Sequence, residues 1–107
     1  MNDRELLELA AKAARVPHTR GDEPGWNPLE DDGDALRLMV RLNLSFQSYP
    51  LWERAQAWHP GSPEDAPEEM YGEDRCAAAR RAIVRAAAEI GTRSNAELTG
   101  VAKRSPS

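Results

Sequence analysis

The sequence predicts an α+β fold in which three main helices surround a small antiparallel sheet or hairpin, with helix dominating. Three observations carry that expectation. Apolar residues recur at helical spacing in three separate stretches, about 3–15, 32–43 and 74–91. Between the second and third the pattern changes to alternation, with Leu44 and Phe46 set against Ser45 and Gln47. A chain of 107 residues, 40% hydrophobic and 30% charged, holds one small core and no second one.

The first helix starts at Asn2, which is followed three residues later by Glu5 in the manner of a capping box. Leu6, Leu9, Ala10 and Ala13 then share a face opposite Arg4, Glu8, Lys12 and Arg15. Pro17 ends the helix by disfavouring the helical conformation of the residue before it, and the turn-rich VPHTRGDEPG follows.

The acids of the next stretch, Glu30, Asp31, Asp32 and Asp34 around Gly33, raise the question of a cation site. A calcium loop is excluded by spacing: with Gly33 at the loop glycine, Pro28 takes the first ligand position and Met39 stands where the bidentate Glu must be. Acids at this place have another use, since they satisfy free N–H groups and the positive end of a helix dipole. They are therefore expected to cap a helix over about 32–43 and to bind no metal. On that helix Asp34, Arg37 and Arg41 form a narrow polar strip, while Ala35, Leu36, Leu38, Met39, Val40 and Leu42 occupy the rest. So apolar a helix is expected to lie centrally, with Leu36, Met39, Val40 and Ile83 in one core.

Residues 44–60 hold Phe46, Tyr49, Trp52 and Trp58 and are expected to form a hairpin, although 52–58 fits a short helix equally well. GSPEDAPEEMYGED, rich in proline and acid, reads as a loop. Asp74 caps the last helix, Gly91 stands at its expected end, and Cys76, Ala79, Ile83, Ala86, Ala87 and Ile90 make its inner face against an outer Arg81, Arg85 and Glu89. The expected organisation is one compact domain over 1–91 and a flexible tail over 92–107.

Several chemistries fall away. No apolar run approaches the ~20 residues that span a bilayer, and acids among the leucines of MNDRELLELAAKAA do not suit a signal peptide. A cytoplasmic protein is expected. One cysteine and two histidines, His18 and His59, give neither an internal disulfide nor a zinc cluster. There is no phosphate loop and no nucleophile–base pattern, so no catalytic residue, metal or cofactor is assigned and the chain is read as a non-enzyme.

What remains is binding. Gly61 to Asp74 holds six acids and no base, whereas Arg75 to Ser107 holds seven bases against Glu89 and Glu97. Tyr49, Trp52 and Trp58 together with Glu64, Asp65, Glu68 and Glu69 combine interface-forming aromatics with steering charge, and predict a surface for a protein complex. The alternative is nucleic-acid binding through Arg75, Arg80, Arg81 and Arg85, against which stands a sequence pI near 5.2.

Three segments, MNDRELLELAAKAA at 1–14, WNPLEDDGDALRLMVRL at 26–42 and AAARRAIVRAAAEIG at 77–91, together resemble the phage ABA sandwich domain family. These are small proteins of tailed phages and prophages in GC-rich bacteria, a source the alanine- and arginine-rich composition also suits. The resemblance implies helices enclosing a small antiparallel sheet, and carries no catalytic residue. It also implies an accessory protein that binds a macromolecule of the host or phage, with inhibition of a host defence complex, as by anti-CRISPR proteins, among the occupations of such proteins. Between Val16 and Gly25 this chain leaves little room for the strands usual there in the family.

Overall fold

The computed structural model describes residues 2–15, 26–61 and 66–98. Three α-helices, α1 (Asp3–Ala14), α2 (Asp32–Leu42) and α3 (Arg75–Leu98), accompany a three-stranded antiparallel sheet of β1 (Ser45–Tyr49), β2 (Arg54–Trp58) and β3 (Glu68–Met70). The α+β class with helix dominant is as the sequence predicts.

Local chemistry explains the helix ends. Asn2 Oδ1 accepts from Glu5 N at 2.8 Å while the Glu5 carboxylate accepts from Asn2 N at 3.1 Å, so the capping box of α1 is complete. Arg15 closes that helix in the left-handed region at φ 60°. Asp31 caps α2 through Asp34 N at 2.8 Å, and Asp74 caps α3 through Ala77 N at 3.1 Å. Upstream of α2, Asn27 Oδ1 accepts from Leu29 N in an Asx turn that buries Pro28, and buried Asp34 accepts from Asn27 N at 2.9 Å and from Arg37 at 2.7 Å. Asp31 and Asp34 thus organise the helix start, while Asp32 pairs with Arg80 of α3.

The layering departs from expectation. α3 is the central element: α1, α2, β2 and β3 all pack against it. Neither α1 nor α2 makes more than marginal contact with the sheet, so no described helix encloses it from a second side. Leu38 and Ala35 are buried, but Leu36 is 55% and Val40 69% exposed, which removes both from the core; Met39 packs at its margin and Ile83 lies inside. Periodicity shows how apolar a helix is but not which side a neighbour covers.

α3 also runs through Gly91 instead of stopping there. The glycine serves contact: a Cβ at this position would collide with the backbone of Leu9 in α1. Cys76 is exposed and Ala79 only half-buried, while Ala78, Ala82, Val84 and Ala88 join Ile83, Ala86 and Ala87 inside. A helix flanked on two sides needs a broader buried face than a single amphipathic stripe. Alanine suits it, since short side chains let backbones approach.

The hairpin forms as expected, with Ser45 opposite Trp58 and Tyr49 opposite Arg54. The segment read as a loop supplies β3, where Arg54 pairs with Met70 and Gln56 with Glu68. Glu-Glu-Met carries no alternation that announces a strand; the free edge of β2 recruits it. Alternation along the strands puts Phe46, Ser48, Ala55, Ala57 and Glu69 toward α3 and Gln47, Tyr49, Gln56, Trp58, Glu68 and Met70 on the open face. Tyr71, buried after β3, joins the sheet to its turn by a hydrogen bond with the Ser48 hydroxyl.

Candidate partner-binding surface

The turn between β1 and β2 is one turn of 3-10 helix, Pro50–Trp52, started by a proline whose fixed φ suits the first position. Glu53 follows at φ 52°, with its N–H on the Pro50 carbonyl at 3.2 Å and its own carbonyl accepting from Tyr71 N at 2.8 Å. Arg54 closes the corner by donating to the Trp52 carbonyl at 3.4 Å and to Glu68 at 2.9 Å. The turn is therefore tied to β3 and to the residue that follows it.

What it presents is apolar. Leu51 is 93% exposed, Trp52 64% and, opposite Arg54 on β3, Met70 63%. The Tyr49 and Trp52 rings lie with centroids 5.5 Å apart and planes tilted by 34°, and the Tyr49 hydroxyl donates to Gln56 at 3.1 Å. Aromatic rings already held in place lose little entropy on binding. Leu51, 93% exposed, gains little from packing among the described residues.

The expected site residues divide. Tyr49, Trp52 and Glu68 converge at this tip, with Arg54 joining the last to the group. Trp58 stands at the other end of β2, four residues and about 13 Å along the strand. Glu69 turns away from the tip and is half-buried: it faces α3, where its carboxylate takes Arg85 at 2.5 Å and lies 3.9 Å from Arg81. Glu64 and Asp65 lie outside the described residues.

The arginines of the alternative nucleic-acid surface have partners within the fold. Arg75 lies 5.1 Å over the Tyr71 ring, Arg80 bonds Asp32 at 2.6 Å and the Leu29 carbonyl at 2.8 Å, and Arg81 bonds Asp3 at 2.8 Å. The carboxylates that meet these arginines come from three separate parts of the chain, Asp3, Asp32 and Glu69.

Leu51 and Met70 escaped sequence reasoning. A leucine inside a proline-started turn between two alternating segments was the available signal, since a turn has no core to bury it. A second apolar surface, a groove of about 620 Å³ lined by Ala14, Trp26, Leu36, Leu38 and Val40 with Arg37 and Arg41, was legible only as a very apolar helix.

Among the described residues no group of three or more His, Cys, Asp or Glu side chains could hold a metal ion, and no helix is long and apolar enough to cross a membrane. No family model, curated protein or solved structure matches the chain.

Proposed function

We propose that this domain is a non-enzymatic accessory protein of a phage or prophage that acts in the host cytoplasm by binding a host protein complex, and that a defence complex is the target, as for an anti-CRISPR protein. The single observation that carries binding is the braced hairpin tip, where Leu51 and Trp52 stand exposed on a turn whose backbone is bonded to Tyr71, the residue after β3. Interface energy concentrates in such rigid aromatic anchors. The three-segment resemblance to the phage ABA sandwich family and the GC-rich composition support the genomic setting.

Immobilised protein exposed to lysate of a candidate host, with the retained proteins identified by mass spectrometry, tests this reading. One stoichiometric complex is expected, and Trp52→Ala should weaken its binding by roughly 30-fold, the hot-spot range of about 2 kcal/mol. The melting temperature of the variant should stay unchanged, because Trp52 supports little of the core. Absence of any retained complex across several hosts, with a gel shift on plain duplex DNA, would transfer the function to Arg75, Arg80, Arg81 and Arg85.

A further inference from the structure

The two edges of the sheet are built differently. β3 is three residues long, follows Pro67 and carries Glu68 and Glu69. Brevity, proline and charge are the means by which sheet edges are kept from pairing with other chains. β1, at the opposite edge, is five residues long with no acidic or basic side chain and no proline, and among the described residues no strand lies beside it. Gln47, exposed at its centre, folds its amide back onto the Ser48 carbonyl at 3.1 Å, a bond that an incoming strand can replace.

We propose that two copies of this chain pair antiparallel along β1, about a two-fold axis through Gln47, to form one continuous six-stranded sheet. The register is self-complementary. Gln47 meets Gln47 of the second copy, and an amide carries both donor and acceptor. Ser45 meets Tyr49, Phe46 meets Ser48, and no charge opposes a like charge anywhere along the seam. On the open face Ser45 already neighbours Trp58. The second copy's Tyr49 therefore completes a row of Tyr49, Ser45 and Trp58 in which the middle side chain is small, and two aromatics at opposite ends of one hairpin come together across the seam. A two-fold axis perpendicular to the sheet keeps both α3 helices on one side. Pairing β1 with β3 of another copy would leave a free edge at each end of a growing fibre, whereas the two-fold closes. The formal charge of −4 on each copy opposes association weakly, since charges apart from the seam are screened beyond about 8 Å at physiological salt.

Sedimentation velocity across a wide concentration range should show a reversible monomer–dimer equilibrium for the full chain. Gln47→Lys and Gln47→Glu each place like charges face to face and should weaken association about fivefold or more. An equimolar mixture of the two variants should recover the dimer. Gln47 is exposed, so circular dichroism of both variants should match the parent. Leu51→Ala alters the tip outside β1, at a side chain that is 93% exposed, and should dimerise normally, which separates this inference from the function of the tip. A monomer at every concentration, a dimer indifferent to both Gln47 variants, or a dimer lost in Leu51→Ala would each overturn the proposal.

Discussion

At Gly91 two residue-level effects oppose each other. Alanine is the better helix former by about 1 kcal/mol, but its Cβ would strike the Leu9 backbone, which cannot turn aside as a flexible side chain can. Overpacking typically costs about 1–3 kcal/mol. Collision should win, and Gly91→Ala should lower the midpoint of urea unfolding; a higher midpoint would mean that α1 and α3 are not in close contact there. The acids of the α2 start differ among themselves in the same measurable way. Asp31→Ala removes one cap and should cost about 0.5–2 kcal/mol. Asp34→Ala leaves Asn27 N and Arg37 without their buried acceptor and should cost as much or more, about 1–3 kcal/mol. EDTA should shift the melting of neither protein, and a chelator-dependent drop would reopen a metal role for this turn.

At the scale of the element, α2 separates apolar character from burial. Leu36 and Leu38 are two residues apart on one helix, yet only Leu38 lies in the core. Leu38→Ala should cost about 2–5 kcal/mol by leaving a cavity, whereas Leu36→Ala should stay within about 0.5 kcal/mol. Equal losses for the two in chemical denaturation would place α2 centrally after all. Leu36 and Val40 stay exposed on the side they share and line an apolar groove with Ala14 and Trp26.

On the scale of the whole molecule, α3 is the axle and its arginines are the spokes. Arg80 reaches the α2 start, Arg81 reaches Asp3 of α1, and Arg85 reaches Glu69 of β3. Their strengths should differ with burial. Arg80, largely enclosed and bonded to the Leu29 carbonyl as well, should cost about 1–3 kcal/mol as Arg80→Ala. Arg81→Ala removes exposed ion pairs and should cost less than about 1 kcal/mol. Thermal melts at low and high salt give a second check, because only the Arg81 contribution should fade strongly with added salt. If Arg81→Ala proved the more damaging, the outer ion pairs rather than the packed backbone contact would be holding the elements together.

The chain order of helix, helix, hairpin, helix was legible from the sequence because each signal is local. A cap needs only a side chain and the three backbone positions after it, as Asn2, Asp31 and Asp74 show, and a turn of the β1–β2 kind needs only its own few residues. The same locality let Tyr49, Trp52 and Glu68 be singled out before their convergence was visible. What only the tertiary structure decided is everything that depends on a distant neighbour. β3 exists because β2 offers an edge, Gly91 is a contact and not a stop because Leu9 lies against it, and Leu36 is outside because α3 covers the opposite side of α2. Glu69 turned from a surface acid into the partner of Arg85 for the same reason. Periodicity in a sequence records how many faces an element can bury, while the close-packed arrangement of the other elements selects which of them it does bury.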